Sequence, residues 1–179
     1  MGVICTKKGV ISIGVLGRDK DRSMYKNAEY LFEKYVEGKD QDKFKILEKI
    51  YVPNAKVTFE IDTDTISFPT EILGNKNIAQ VLSAEFNRKY DHVQTYYLSR
   101  SFPQINDFTI SNQGWLVIMR EKEDNSIRVG TGLYDWIFEK QVDGNLKISQ
   151  HNISIGVMLC LPGLPFSFLN ELQSKLPYP

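Results

Sequence analysis

The chain lacks an excess of either charge, because 22 Lys and Arg residues are balanced by 22 Asp and Glu residues. The basic residues are scattered, and most have an acidic residue nearby. Proteins that bind nucleic acid concentrate positive charge on one surface, so the charge pattern does not predict such a partner. The sequence also lacks any run approaching the ~20 apolar residues of a membrane-spanning helix, so a membrane location is not expected.

Cysteine and histidine are scarce. Cys5 and Cys160 lie near opposite ends of the chain. This spacing does not predict a disulfide framework and fits a reducing compartment, here the cytoplasm. His92 and His151 show no metal-binding spacing, and neither a dinucleotide-binding loop nor a Gly-x-Ser-x-Gly nucleophile motif is present. The sequence therefore predicts neither a metal nor an organic cofactor.

The first 23 residues allow two interpretations. Residues 1–6, Met-Gly-Val-Ile-Cys-Thr, match the N-myristoylation pattern on Gly2, with Cys5 placed for a second acyl chain. The alternative is a β-hairpin that turns at Lys7-Lys8-Gly9. Because so short a motif also arises by chance, the hairpin is the preferred interpretation, and a lipid-anchored peripheral protein remains the alternative.

The spacing of apolar residues switches between helical and alternating along the rest of the chain. Helices are predicted from Met24 to about Gly38, from Phe44 to Tyr51 with a stop at Pro53-Asn54, and from Gly74-Asn75 to about Tyr90. Strands are predicted over residues 57–61, 66–73, 92–99, 108–111 leading into 115–121, 127–140 and 146–157. Long late strands indicate a curved antiparallel sheet whose concave face is covered by the helices, a cone-shaped α+β fold.

A short helix is predicted at the C-terminus. Leu161-Pro162-Gly163-Leu164-Pro165 ends the last strand, and apolar residues then recur at helical spacing from Phe166 to Leu176. This helix must bury its apolar side against the mouth of the cone, the convex face of the sheet or a second subunit. The chain is accordingly divided into an N-terminal extension (1–23), one domain (24–158) and a C-terminal extension (159–179).

Several local sequences carry a resemblance to a known family. They are the step Tyr51-Val52-Pro53-Asn54-Ala55 into a strand, the helix start Gly74-Asn75-Lys76-Asn77-Ile78, His92 at the head of a strand, and Tyr134-Asp135 ahead of the Asp143-Gly144 turn. In this order they resemble the NTF2-like superfamily, within it the SnoaL-like branch of polyketide cyclases and relatives of scytalone dehydratase. The resemblance covers about residues 24–157.

The resemblance implies a helix-lined cone that binds a small molecule. It also implies cofactor-free acid/base chemistry in the cone, such as isomerisation, cyclisation or dehydration, and a homodimer formed through the sheet. Two positions depart from the family pattern. Asn145-Leu146 replaces the usual Trp after the turn glycine, and Glu37 stands where enzymes of the group often have Asp.

His92, Asp135, His151 and Tyr134 are the candidate catalytic residues. A neutral imidazole is a natural general base near pH 7, and His92 occupies the family's histidine position. If residues 142–144 form a three-residue loop, Asp135 lies opposite His151 as in a catalytic dyad. If Asp143-Gly144 is a two-residue turn, Trp136 lies opposite His151 instead. Tyr134 or Tyr96 would donate a proton or stabilise an oxyanion, and the structural alternative leaves both histidines as ordinary strand residues.

Aromatic residues on the elements that wall the cone predict its ligand. Phe and Trp provide apolar surface and Tyr adds a hydroxyl group, which suits a small, mostly apolar, ring-shaped molecule. The predicted ligand-binding residues are Tyr30, Phe59, Phe86, Tyr96, Trp115 and Trp136, and Tyr35 lies among them. The alternative is that these rings fill the cone completely, which would leave a non-catalytic protein-interaction module.

Overall fold

The computed structural model describes residues 19–98 and 108–178. The predicted N-terminal hairpin and the acylation motif on Gly2 lie outside the described residues. The helices are α1 (Asp19–Asp40), α2 (Phe44–Ile50), α3 (Asn75–Ala79), a π-helical stretch (Gln80–Glu85), α4 (Phe86–Lys89) and α5 (Phe166–Ser174). None of the helices in this described part is both long and apolar enough to cross a membrane.

Helix α1 is the central helix of the layer. It begins five residues before the predicted start and continues two residues past Gly38. Its buried side is an apolar stripe at i, i+3, i+4, i+7 and i+8, formed by Ala28, Leu31, Phe32, Tyr35 and Val36. This stripe packs on the concave face of the sheet, where Phe32 contacts Trp136 with ring centroids 5.2 Å apart.

Six strands form one curved sheet. They are β1 (Tyr51–Ile61), β2 (Glu71–Leu73), β3 (Tyr90–Leu98), β4 (Thr109–Glu121), β5 (Ile127–Lys140) and β6 (Leu146–Leu161), in the spatial order β2-β1-β6-β5-β4-β3. The predicted α+β class is confirmed. The sheet is mixed rather than wholly antiparallel, because β1 runs parallel to β6. No turn joins these two distant strands, so local sequence held no signal for their relative direction.

Pro53 and Asn54 lie inside β1, where the sequence predicted a stop before the strand. The pairing of β1 with β6 is irregular between Tyr51 and Lys56. A proline has no N–H to donate, and such an irregularity is one of the few places within a sheet where it is tolerated.

The β5–β6 hairpin has the three-residue loop that was one of the two predicted alternatives. The backbone N–H of Gln141 donates to the carbonyl oxygen of Asn145 at 2.8 Å, and Gly144 closes the loop with φ 86°. Only glycine adopts such a positive φ without strain.

The pairing farther along the same hairpin nevertheless differs from the prediction that went with this loop. Phe138 pairs with Ile148 but Ile137 pairs with Gln150, so Ser149 is an extra residue on β6. This β-bulge shifts the pairs from Ile137 to Gly132 by one position. Trp136 therefore lies opposite His151, and the predicted Asp135–His151 dyad is wrong.

The two faces of the sheet carry separate apolar clusters. The main core lies between the helices and the concave face. A smaller cluster on the convex face packs against α5, with Tyr96, Ile118, Ile127 and Leu169 as its buried members. Of the three locations open for the C-terminal helix, the convex face is therefore the one it occupies.

Candidate functional site

A small cavity lies between the helical layer and the concave face of the sheet. Its volume is about 40 Å³, which is room for about one water molecule. The apolar part of its lining comes from Phe59, Ile66, Phe68, Leu82, Phe86, Trp115, Val117, Met119, Ile153, Ile155 and Met158. The cone is thus nearly, but not completely, filled by its own side chains.

The loop between β1 and β2 contributes Ile66 and Phe68 to the wall of this cavity. Phe68 stacks on Phe59, with ring centroids 4.6 Å apart and planes 3° from parallel, and lies 6.3 Å from the ring of Phe86. Phe68 and Phe86 also line an outer groove of about 140 Å³. The Phe68 ring therefore stands between the cavity and this outer groove. The loop is fastened where the Thr65 hydroxyl donates to the carbonyl oxygen of Met158 at 2.6 Å.

Lys39 places an ammonium group at the cavity wall, although only 6% of the residue is exposed. Its Nζ atom lies 2.7 Å from Oδ1 of Asp40 and 4.6 Å from the centroid of the Phe86 ring. The carboxylate balances the charge, and the ring face adds a cation–π attraction. Lys39 follows Tyr35 by four residues, so both side chains project from the same side of α1.

The carboxylate of Asp40 is fully buried and well supplied with donors. It accepts hydrogen bonds from the backbone N–H of Thr95 at 2.6 Å, the Thr95 hydroxyl at 2.9 Å and the Tyr178 hydroxyl at 3.2 Å. Together with Lys39, these donors satisfy most of its acceptor sites. Asp40 therefore holds the ammonium group of Lys39 in place, and it does not itself line the cavity.

Tyr35 and Tyr134 contribute hydroxyl groups to the same wall. Burial raises the pKa of both phenols, and the side-chain hydroxyl groups of Tyr35 and Tyr134 interact with each other. Both phenols are consequently protonated at neutral pH, and each can donate or accept a hydrogen bond. Trp115 stacks on Tyr134 with ring centroids 5.4 Å apart, and its Nε1 has no hydrogen-bond partner among the described residues.

His151 lies behind the cavity wall and is almost completely buried. Its ring stacks on Trp136 at 3.6 Å and contacts the rings of Tyr35 and Tyr134. Nδ1 is 2.8 Å from the hydroxyl oxygen of Tyr51, while Nε2 has no partner in the described part of the chain. Burial holds the pKa of this imidazole well below its usual value, so the ring is neutral.

His92 does not face the cone, contrary to the prediction. Its backbone has φ 50° at an irregularity in the β3–β4 pairing, and its exposed ring contacts Phe166 at 4.6 Å. The irregularity breaks the alternation that was expected to turn this side chain inward. Asp135 likewise lies on the convex side, where it accepts a hydrogen bond from the backbone N–H of Asn112 at 2.7 Å. Of the four candidate catalytic residues, only Tyr134 lines the cavity.

The predicted ligand-binding residues divide in the same way. Phe59, Phe86 and Trp115 line the cavity. Trp136 is part of the core behind it and does not line it, and its Nε1 donates to Oε1 of Gln113 at 2.7 Å. Two predictions are wrong: Tyr96 points into the convex cluster, and Tyr30 is 55% exposed because it lies off the apolar stripe of α1.

Sequence reasoning missed Lys39 and Phe68. The prediction ended the first helix at Gly38, which hid the i, i+4 spacing of Tyr35 and Lys39. Phe68 was assigned to a strand over residues 66–73, whereas only Glu71–Leu73 is a strand and Phe68 belongs to the loop between β1 and β2.

No group of three or more His, Cys, Asp or Glu side chains that could hold a metal ion occurs among the described residues.

Solved structures share this architecture. The chain is similar to a type 2 hexachlorocyclohexane dehydrochlorinase, LinA, with a TM-score of 0.68 and 18% identity over 83% of this chain and 97% of that one. It is also similar to a scytalone dehydratase-like protein from Novosphingobium aromaticivorans, with a TM-score of 0.63, 13% identity, and 82% and 98% of the two chains covered.

An NTF2-like superfamily protein from Salmonella enterica matches with a TM-score of 0.62 and 9% identity over 76% of this chain and 93% of that one. No protein-family model matches the sequence, and no curated protein does. These likenesses show that the chain has the NTF2-like fold, as the sequence resemblance predicted.

Proposed function

We propose that the chain binds a small, mostly apolar, ring-shaped molecule in the cavity on the concave face of the sheet. The observation that carries this proposal is the lining, in which Lys39, Tyr35 and Tyr134 interrupt an otherwise apolar wall. Binding sites for small molecules combine apolar walls with a few placed polar groups. Enzymes of the same fold act on small molecules of this kind, since the neighbours are named for hexachlorocyclohexane and scytalone.

Ligand binding fits the lining better than acid/base catalysis does. Among the described lining residues there is no Asp, Glu or His. Proton abstraction needs a base within hydrogen-bonding reach of the substrate. Of the predicted bases, His92 and Asp135 lie on the convex side and His151 lies behind Tyr35 and Tyr134. The lining thus supplies donors that can hold a ligand but no base that would convert it.

The size of the ligand depends on Phe68. A cavity of roughly 150 Å³ accommodates benzene in other proteins, whereas the cavity here has about 40 Å³. Displacing the Phe68 ring from between Phe59 and Phe86 would join the cavity to the outer groove of about 140 Å³. We propose that the ligand enters by this route and takes the place of the Phe68 ring.

A protein-interaction module with a filled cone is the second candidate function. The volume of about 40 Å³ favours it, because a cone that holds about one water has no ligand site while Phe68 stays in place.

The Phe68→Ala variant separates these two candidates. Toluene is titrated into the wild-type protein and the variant, and binding is followed by calorimetry and by two-dimensional NMR. Removal of the ring opens the cavity, so the variant is expected to bind toluene at least tenfold more tightly, with shifts centred on Phe86, Val117 and Ile153. Phe44→Ala is the matched control, because Phe44 is a half-buried ring on the same core that does not line the cavity.

An absence of toluene binding to a folded Phe68→Ala protein would contradict the ligand-binding proposal and leave the interaction module. Equal gains in the Phe68→Ala and Phe44→Ala variants would instead indicate general loosening of the core.

We also propose that two copies associate through the uncovered part of the convex face. Leu133, Val157 and Leu159 lie on the neighbouring strands β5 and β6 and are 42%, 46% and 51% exposed. Sedimentation velocity should give a dimer for the wild type and a monomer for Leu133→Lys, while a wild-type monomer would contradict the proposal.

A cytoplasmic location stays a prediction.

A further inference from the structure

Every polar group on the cavity wall can donate a hydrogen bond. Lys39 has only N–H groups to offer, whereas the hydroxyl groups of Tyr35 and Tyr134, which interact with each other, can donate or accept. Trp115 can only donate. The remaining described lining residues are aliphatic, aromatic or methionine, and a thioether is a weak acceptor. A ligand that carries an acceptor group therefore suits this wall.

Trp115 is the cavity-lining residue whose donor most needs such an acceptor. The residue is 3% exposed and lines the cavity, and its Nε1 has no partner among the described residues. A buried N–H without an acceptor destabilises the protein and is uncommon in native structures. Trp136, on the neighbouring strand β5, shows the ordinary arrangement, since its Nε1 donates to Oε1 of Gln113 at 2.7 Å. The indole of Trp115 is thus suited to a partner that comes from outside the chain.

The charge of that partner follows from Lys39 and Asp40. Their side chains form an ion pair at 2.7 Å, and both are at least nine-tenths buried. The pair is neutral as a whole, so an anionic ligand would bring one uncompensated negative charge into an apolar cavity. A neutral oxygen acceptor, by contrast, meets the donors without adding charge.

We propose that Nε1 of Trp115 determines ligand specificity by donating a hydrogen bond to a neutral acceptor oxygen, of the carbonyl type, on an otherwise apolar ligand. This inference rests on the proposed ligand-binding function and names the chemical class of ligand that the same cavity takes. No bond is made or broken in this step, and Trp115 acts in recognition only.

The test uses three probes of nearly equal size on the full chain: acetophenone, its hydrocarbon counterpart isopropylbenzene, and benzoate. Each is titrated into the wild type, the Phe68→Ala variant and the Phe68→Ala/Trp115→Phe double variant. Affinities are measured by calorimetry, and contact with the indole is followed in the wild type and the Phe68→Ala variant through the two indole N–H signals of a nitrogen-15 spectrum, since the chain has only two tryptophans, Trp115 and Trp136. Trp136, already bonded to Gln113, is the internal control.

We expect acetophenone to bind roughly tenfold more tightly than isopropylbenzene, as satisfying one buried donor predicts, and benzoate to bind more weakly than acetophenone. Acetophenone should move the Trp115 indole signal downfield and leave that of Trp136 unchanged. In the double variant the preference for acetophenone should disappear, while isopropylbenzene keeps its affinity.

Equal binding of acetophenone and isopropylbenzene, with no movement of the Trp115 signal, would overturn this inference and leave the proposed function intact. Tighter binding of benzoate would overturn the neutral character of the acceptor. A preference for acetophenone that survives Trp115→Phe would assign the donor to another residue and overturn the role of Trp115. Failure of all three probes to bind the folded Phe68→Ala variant would remove the proposed function and the inference with it.

Discussion

The two faces of the sheet place their histidines in opposite environments. On the concave side, His151 is 1% exposed and surrounded by the rings of Tyr35, Tyr51, Tyr134 and Trp136. On the convex side, His92 is exposed at a bulge, and its ring contacts Phe166 of α5. The concave face thus encloses its polar groups within packed rings, whereas the convex face leaves them to solvent and to a single short helix.

This difference shows that packing, rather than residue type, determines what a histidine can do. Burial keeps the imidazole of His151 neutral and walls it off from the cavity. The three predictions that follow test how far the two faces differ, beginning with the position where the concave face has no spare room.

Gly132→Ala should destabilise the protein most. A Cβ atom at this position would lie 1.8 Å from the carbonyl oxygen of Ser154 and 2.7 Å from the Trp115 ring. Because a backbone oxygen cannot move aside without disturbing the sheet, the free energy of unfolding should fall by about 3 kcal/mol or more. Urea titration followed by far-ultraviolet circular dichroism measures this change.

Gly156→Ala is the matched control for that substitution. Gly156 lies in the neighbouring strand β6, and the nearest atom to its added Cβ would be the carbonyl oxygen of Thr131, at 3.8 Å, an ordinary contact. Its free energy of unfolding should stay within about 1 kcal/mol of the wild type. Similar losses for both variants would mean that the concave side is no more tightly packed at Gly132 than β6 is at Gly156.

The pH dependence of stability should come from the concave histidine. Its pKa in the folded protein lies well below the usual 6.5 because burial disfavours the charged ring. The unfolded chain therefore binds the proton more readily, and the stability is complete above pH 6.5 and decreases as the pH falls below it. The slope for one such group is at most about 1.4 kcal/mol per pH unit.

Unfolding free energies measured between pH 6.5 and 5 check this prediction, a range above that in which the Asp and Glu residues with lowered pKa values titrate. The His151→Phe variant should lose most of the slope of unfolding free energy against pH, since a phenylalanine ring cannot take up a proton. A slope that persists in the His151→Phe variant would contradict this prediction.

Gln173→Ala should have the smallest effect and should loosen the convex layer alone. Its Nε2 donates to the carbonyl oxygens of His92 at 2.6 Å and Ile118 at 3.2 Å, which ties α5 to β3 and β4. Loss of these hydrogen bonds should lower the free energy of unfolding by about 1 kcal/mol. Hydrogen exchange in α5 should become faster while exchange in α1 is unchanged. Ser174→Ala, at an exposed position, should change neither rate, and a matching increase in α1 would contradict a separate convex layer.

The fold could be predicted from sequence because its signals are local. The apolar stripe of α1, the alternation in β1 and the bounds of β5 follow from side-chain periodicity alone. The resemblance based on the Tyr51–Ala55 step and the Gly74 helix start then placed these elements in the correct architecture, as the solved structures confirm.

The site could be predicted only in part, because it depends on two β-bulges that the spacing of apolar residues in the sequence does not reveal. The loop of the β5–β6 hairpin was correctly among the alternatives, but the extra residue Ser149 moved His151 from Asp135 to Trp136. The irregularity at His92 likewise turned that side chain to the convex face. A one-residue slip exchanges the two faces of a strand, so residue type can be right while its direction is wrong. Phe59, Phe86 and Trp115 line the cavity, as expected for the elements that wall the cone, and their role in ligand binding stays a prediction.

The helix that ends at Asp40 has a consequence for how the chain behaves among other copies of itself. Strand β3 stands at the border of the sheet, and a free border of backbone groups is a template on which foreign strands can add and aggregates can grow. Here the Asp40 carboxylate occupies the outward N–H of Thr95, and Gln173 occupies the carbonyl oxygen of His92. The same charged group that steadies Lys39 at the cavity therefore also helps to keep the protein from polymerising along this border.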